Sequence, residues 1–341
     1  MNSGEKLAII GAGAIGSLVG GMLARAGKDV TLIGRKEHME AVNKNGLSIN
    51  GVVGEFNVQI KTAEKLDFKP DIVFLAGKTQ DVEESCLEIK PLIGDIPIVL
   101  MQNGVRSADI AASILGEKNI ISCILLLNAQ FLEPGIVTCI NQKPSIIGEM
   151  FDKNGERIKQ IQALLNHVSE TIISDNIRGA QWTKLFINAM GNSIDAMTGL
   201  TLGEYVKYYN IRKIAVQILK EALKVVETAT IKLEKLPGIP ISAFKTIIKM
   251  PTPLAAFILK YAMSSKGNSD IVTSTLQSIR KGKKTEIDYI NGEFVKLGMR
   301  IGVQTPYNSK VVELIHTIED SGDFFAPDEL STIFQGLEAP T

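Results

Sequence analysis

Leu7-Ala8-Ile9-Ile10-Gly11-Ala12-Gly13-Ala14-Ile15-Gly16-Ser17-Leu18-Val19-Gly20 is the stretch on which the fold turns: a short apolar run passes directly into G-x-G-x-x-G and then into a helix-compatible segment that continues to Arg25. In such a strand, turn and helix each glycine has a physical task. Gly11 makes the tight turn, Gly13 removes a side chain where a pyrophosphate would approach the backbone, and Gly16 lets the helix pack closely. The helix that follows presents unpaired N–H groups and the positive end of its dipole, which together favour an anion. Ala12, Ala14 and Ile15 complete the same cofactor-binding turn. A tight turn without a ligand is the plainer alternative, and the flanking strand, helix and second strand weigh against it.

The second strand, Val30 to Ile33, runs into Gly34-Arg35-Lys36. An NAD(H) site would carry an acidic residue here for the ribose 2′-hydroxyl, whereas a basic pair suits a 2′-phosphate; Arg35 and Lys36 therefore point to NADP(H). A solvated Arg-Lys pair is the competing account. Further β-branched runs at Ile72 to Leu75, Ile98 to Met101 and Ile120 to Ile124 alternate with amphipathic stretches, the rhythm of a parallel sheet covered by helices. Residues 46–51 and 56–60 suggest a small hairpin, and residues 135–148 suggest antiparallel strands closing the sheet edge. Gly77-Lys78-Thr79 and Gln102-Asn103-Gly104 follow strand ends, where open α/β sheets bind ligands. The first ends like a P-loop, but Ile72 stands where that motif needs its first glycine. Asn103-Gly104 taken alone reads as a turn dipeptide.

After Ser174-Asp175-Asn176 the glycines thin out and long helical patterns take over at Gln181 to Met197, Ile211 to Leu233, Ile271 to Arg280 and Glu286 to Leu297. The expectation is an α/β protein with an N-terminal Rossmann dinucleotide-binding domain over residues 1–175 and a C-terminal all-helical domain over residues 176–341. Pro237, Pro240, Pro251 and Pro253 mark a connection between helices. Within the first long helix Lys184, Asn188 and Asn192 recur every four residues and share a face. A desolvated lysine has a lowered pKa and can donate a proton near neutral pH. Lys184 could instead snorkel to solvent, with both asparagines capping loops. Ser274 and Glu286 read locally as a helix-surface hydroxyl and a first-turn carboxylate, with Thr285 as N-cap.

Composition narrows the classes. The 341 residues are 45% hydrophobic and 22% charged, and 37 basic residues balance 37 acidic ones, so no basic excess exists to neutralise nucleic-acid phosphates. Cys86, Cys123 and Cys139 are odd in number and lack C-x-x-C spacing, and the three histidines lie in no ligand-spaced pattern; neither a disulfide framework nor a metal site is indicated. No apolar run reaches the roughly 18 residues of a membrane span, and the start lacks signal-peptide architecture. The chain reads as cytoplasmic, with no nucleic-acid or membrane partner. Oligomeric state stays open, a homodimer included.

Taken together, the glycine turn, Lys78, Gln102-Asn103-Gly104, the Lys184/Asn188/Asn192 helix and Thr285-Glu286-Ile287-Asp288-Tyr289-Ile290-Asn291-Gly292 resemble the ketopantoate reductase (2-dehydropantoate 2-reductase) family over nearly the whole chain. The last string is the most distinctive of these. The resemblance implies an NADPH-dependent oxidoreductase that reduces a small 2-keto acid, ketopantoate to pantoate on the route to pantothenate and coenzyme A, in a cleft between the two domains. It implies Lys184 as general acid, Asn103 where nicotinamide meets substrate, and Lys78 on the cofactor. Asn188, Asn192 and Ser274 would hold the substrate, and Glu286 would act near the reaction centre against cofactor or substrate. Departures at Leu125-Leu126-Leu127-Asn128-Ala129-Gln130, at Ser193 where many members carry proline, and at Leu202 keep reduction of a related 2-keto acid open. A non-catalytic NADP(H)-binding redox sensor is a further alternative, disfavoured because a sensor needs only the Rossmann half.

Overall fold

The computed structural model describes residues 4–263 and 272–337. The chain forms two compact units, Met1–Ala180 and Gln181–Thr341. Unit 1 runs β1 (Lys6–Ile10), α1 (Ala14–Arg25), β2 (Asp29–Ile33), α2 (Lys36–Asn45), β3 (Leu47–Gly51), β4 (Phe56–Val58), β5 (Lys61–Ala63) and β6 (Ile72–Leu75). It continues with α3 (Val82–Ile93), β7 (Ile98–Leu100), α4 (Ser107–Leu115), β8 (Ile120–Ile124), β9 (Leu127–Glu133), β10 (Ile136–Gln142), β11 (Ser145–Glu149), α5 (Glu156–Leu165) and β12 (Thr171–Ile173).

The main sheet has the order β12-β11-β8-β7-β6-β1-β2-β5. From β5 to β8 every pairing is parallel, and β6, β7 and β8 are buried at every position, as strands covered on both faces must be. The chain moves outward from β1 through β2 to β5, then returns to β6 on the other side of β1. That reversal puts the switch point between β1 and β6, just where the glycine turn leaves the sheet.

The small hairpin forms as β3 and β4, with Leu47 opposite Val58. The antiparallel edge expected from residues 135–148 does not form as one unit. β10 pairs with β9 and β3 in a second, four-stranded sheet, while β11 pairs antiparallel with β8 and parallel with β12, which forms the true edge. The chain changes sheets at Lys143-Pro144, where proline offers no N–H to either ladder. α1 packs between the two sheets: a Cβ on Gly20 would touch Leu32 and Ile9 of the main sheet, and one on Gly21 would collide with Ile49 of the small one. Buried His38 ties these layers. Its Nδ1 accepts the Gly135 N–H at 2.9 Å, so its Nε2 carries the proton and faces Ser17 Oγ at 3.0 Å. Burial lowers its pKa, so this arrangement stabilises the neutral ring and is opposed once the unfolded chain's histidine protonates.

Unit 2 is helical: α6 (Ile177–Thr198, its first turn lying in unit 1), α7 (Leu202–Tyr205), α8 (Tyr209–Thr228), α9 (Ile241–Lys249), α10 (Thr252–Met263), α11 (Ser274–Arg280), α12 (Asn291–Ile301), α13 (Pro306–Ser321) and α14 (Pro327–Gln335). α8 is the central helix, in contact with α9, α10, α12, α13 and α14. It ends at Thr228, earlier than the expected Leu233, with Thr230 at φ +54°. The proline-marked stretch holds a helix of its own, α9. It begins after a turn in which Leu236-Pro237-Gly238-Ile239 places glycine at φ +73°, as a type II turn requires. Ile271 lies outside the described residues. Glu286 does not open an α-helix: Ile287–Tyr289 form a 3-10 turn and α12 starts only at Asn291.

Glu221 on α8 is fully buried and accepts from Tyr307 N, Asn308 N and Asn308 Nδ2 at 2.8, 2.9 and 2.8 Å. The two backbone donors are first-turn N–H groups of α13, which begins with Pro306 and has no side-chain cap of its own. A carboxylate on a neighbouring helix thus satisfies the orphan donors at the positive end of the α13 dipole.

Candidate functional site

In unit 1 the glycine turn is held against the end of β2: Gly11 N–H and Ala12 N–H both donate to Ile33 O at 3.0 Å. Gly11 has φ +96°, and a Cβ there would lie 2.5 Å from Gly77 N, so glycine is required by both conformation and approach. A Cβ on Gly16 would sit 2.2 Å from Gly11 O. Gly13 is exposed, and a Cβ on it would meet no atom of the described residues within 4 Å. The first turn of α1 carries neither a side-chain cap nor an acidic residue to compete for an anion. The residues present therefore fit a dinucleotide pyrophosphate.

Arg35 and Lys36 are exposed just past β2. Lys36 forms a long 3.8 Å contact with Glu40 in which both side chains are mostly exposed, a pair of little energetic weight. Lys78 and Asn103, both half-buried, follow β6 and β7. Their loops are joined by Thr79 Oγ1 donating to Asn103 O at 2.9 Å and by Gln102 Nε2 donating to Leu75 O at 2.9 Å. Gln102 Oε1 is buried and lacks a partner among the described residues. Thr79 and Gln102 were visible in sequence beside Lys78 and Asn103, but their bracing role depends on β6 and β7 being neighbours, which no local signal carries.

In unit 2, α6 is buried on all sides from Gln181 to Thr198 except at Lys184, Ile187, Asn188 and Gly191. These four positions, spaced i, i+3, i+4 and i+7, form one stripe about 10 Å long. Lys184 and Asn188 therefore sit where the four-residue rule puts them, whereas Asn192 is only 6% exposed and lies beside the opening. The 40° drift at each four-residue step moves it off the Lys184 line. Trp182 is buried edge-to-face against Phe294 of α12 at 5.6 Å and stiffens the back of the helix. Ser193, where many relatives of the resembled family carry proline, is fully buried; its hydroxyl donates to Ala189 O and Met190 O at 2.6 and 3.1 Å, so α6 continues unbroken.

Ser274, exposed at the start of α11, is placed by Asp195 on α6. That buried carboxylate accepts from Thr273 N at 2.8 Å and Thr273 Oγ1 at 2.9 Å, and burial pushes its pKa up to about 7. Asp195→Ala is expected to lower the unfolding free energy by about 1–3 kcal/mol in urea titrations, because both Thr273 donors lose their acceptor.

Glu286 is half-buried in a strap held on both sides. Thr285 N–H donates to Glu319 Oε1 at 2.7 Å, and Asp288 Oδ1 meets His316 Nε2 at 3.2 Å while His316 Nδ1 faces Glu319 Oε2. Asn291, fully buried, donates to Ala189 O at 2.9 Å and to Asn308 Oδ1 at 3.0 Å. The Thr285-to-Gly292 string is thus fastened directly to the α6 turn that carries Asn188. Of the other departures, Leu127 to Gln130 belong to β9, and Leu202 opens α7, where Thr201 and Glu204 form a capping box. Among the described residues no cluster of His, Cys, Asp and Glu could hold a metal ion, and no helix is long and apolar enough to cross a membrane.

Residues 7–151 match the family model described as Ketopantoate reductase PanE/ApbA, and residues 176–319 match Ketopantoate reductase PanE/ApbA C terminal. A 2-dehydropantoate 2-reductase of Pyrococcus horikoshii is 30% identical over 321 residues, 93% of this chain and 98% of the relative. A crystal structure of a PanE/ApbA family ketopantoate reductase from Ralstonia eutropha JMP134 superposes with a TM-score of 0.79 at 26% identity, covering 93% of this chain and 99% of that one. The ternary structure of D-mandelate dehydrogenase with NADH and anilino(oxo)acetate superposes equally well, with a TM-score of 0.80 at 27% identity over 93% of this chain and 99% of that one.

Proposed function

The chain belongs to the ketopantoate reductase family, and from that premise we propose that it reduces 2-dehydropantoate to pantoate with NADPH. The observation that carries this reading is the α6 stripe: between Gln181 and Thr198, where the helix is otherwise buried, the half-buried face carries one lysine and one asparagine a turn apart. Reducing a ketone builds negative charge on its oxygen. A cation at that oxygen stabilises the charge and supplies the proton.

The residues divide the work. The turn over residues 11–16 offers backbone N–H groups and the α1 dipole to the pyrophosphate, and Arg35 with Lys36 takes the 2′-phosphate. Lys78 and Asn103 complete the cofactor side. When bound, the reduced nicotinamide supplies the hydride that ends on the carbonyl carbon. Lys184 Nζ gives its proton to the ketone oxygen, and Asn188, Asn192 and Ser274 orient the carboxylate and hydroxyl of the substrate. Glu286 acts beside the reacting groups. The product of this reaction, pantoate, is a precursor of pantothenate.

The test is NADPH oxidation with ketopantoate beside a panel of other 2-keto acids, NADH serving as control. Preference for ketopantoate with NADPH supports the proposal; turnover only of another keto acid reassigns the substrate and keeps the chemistry. That second reading is favoured by the likeness to D-mandelate dehydrogenase, a protein that handles an aryl-substituted hydroxy acid. Arg35→Ala is expected to weaken NADPH binding by about 10–100-fold, the worth of a charge-assisted phosphate contact, and to leave NADH binding nearly unchanged. Titration of both nucleotides by fluorescence checks it, and equal losses for the two would remove Arg35 from the 2′-phosphate.

A further inference from the structure

Gly191 lies in the middle of α6, seven residues after Lys184 and three after Asn188. A glycine in a helix interior is a cost, because it loses more backbone freedom than any other residue on folding. Folds usually accept that cost for a positive φ or for close packing. Neither applies here. Gly191 is absent from the glycines with positive φ, and, outside its own helix backbone and chain neighbours, a Cβ built on it would meet no heavy atom of the described residues within 4 Å. By contrast Gly298 of α12 would press a Cβ to 2.6 Å from Val303 O, a packing reason in plain view. Gly191 is moreover one of only four positions between Gln181 and Thr198 that are not buried, and it shares that stripe with the lysine and asparagine assigned to the keto acid.

We propose that Gly191 is a specificity-determining position: the space above it receives the side chain of the 2-keto acid whose carbonyl meets Lys184. The inference rests on the reading of function above and deepens it. One step along the stripe, Ile187 adds an apolar wall on the same face. A polar anchor at one end and bare helix backbone at the other suit a 2-keto acid carrying a branched or aryl substituent. A short substituent would leave the space to water. Filling the space with a larger side chain should therefore discriminate by substrate size and leave the proton donor in place.

The experiment compares Gly191→Ala and Gly191→Leu with the unsubstituted chain, using NADPH with ketopantoate, phenylglyoxylate and pyruvate. Gly191→Ala is expected to raise Tm by about 1–4 °C, since helix propensity improves with no clash. Gly191→Leu is expected to raise KM for the larger acids by at least about 10-fold and to change that for pyruvate by less than about 2-fold, with kcat on pyruvate retained. An unchanged ratio of kcat/KM between large and small acids in both variants would overturn the proposal. So would a drop in Tm for Gly191→Ala, because it would reveal a packing reason for the glycine. Should Gly191→Leu fail to fold, the alanine variant still decides, through a smaller shift in the same direction. If the unsubstituted chain reduces no 2-keto acid, the reading of function fails by itself, before any variant is compared.

Discussion

Lys184→Ala is expected to lower turnover by about 10²–10⁴-fold, the usual worth of a positioned proton donor that also faces developing charge. Lys184 is half-buried on the α6 stripe, and alanine is the best helix former, so the fold should tolerate the change. NADPH affinity should hold, since the proposed cofactor groups at residues 11–16, Arg35, Lys78 and Asn103 belong to unit 1. Steady-state kinetics, nucleotide titration and thermal unfolding together separate these effects. Normal turnover in a folded variant would exclude Lys184 as the general acid. A loss confined to KM would recast it as a substrate anchor.

Glu221→Ala should produce the largest loss of stability, about 3–5 kcal/mol, because it strips the acceptor from two backbone N–H groups at the start of α13 and from the Asn308 amide. Glu221→Gln retains one acceptor oxygen and should cost less. The pair also has a signature in pH. Burial pushes Glu221 up to about 7 from an ordinary 4.5, so between those values the native state holds a proton that the unfolded chain has released. Stability should then fall as pH rises through that window, opposite in sign to the usual salt-bridged carboxylate. Asp195, also raised to about 7 by burial, adds to the same slope. Urea unfolding at pH 5 and pH 8 measures it. Glu221→Gln should flatten the dependence, and an unaltered slope would show that the carboxyl does not titrate there.

The glycine turn was legible because its constraint is local. A short apolar run passing through G-x-G-x-x-G into helical spacing specifies strand, turn and helix, and the structure adds only the neighbour, Gly77, that Gly11 must clear. The alternation of strands and helices in the first half, and the helical second half, were legible for the same reason. Partners were not. A strand's period tells which side chains share a face and says nothing of which strand lies alongside, so β10 and β11, two residues apart, were read as one antiparallel edge yet belong to different sheets. α9 was hidden because the prolines bracketing it read as a connection, although proline is well tolerated before and within a first helical turn.

At the candidate substrate site the split is similar. Helical spacing alone put Lys184 and Asn188 on one face, since 3.6 residues per turn is a property of the backbone. Which part of that face stays uncovered was decided by the helices packed around α6, and they left Gly191 open and enclosed Asn192. Ser274 owes its place to Asp195, 78 residues away from Thr273 in sequence, and Asn291 reaches Ala189 across 102. The sequence by itself determined the alternation of strands and helices in the first half, the helical second half, the glycine turn and the residue types carried on the α6 face, because those follow from backbone geometry and near neighbours. Sheet pairing, burial and the bracing of each candidate side chain were decided only by tertiary structure, because they depend on which distant surfaces are pressed together when the core excludes water.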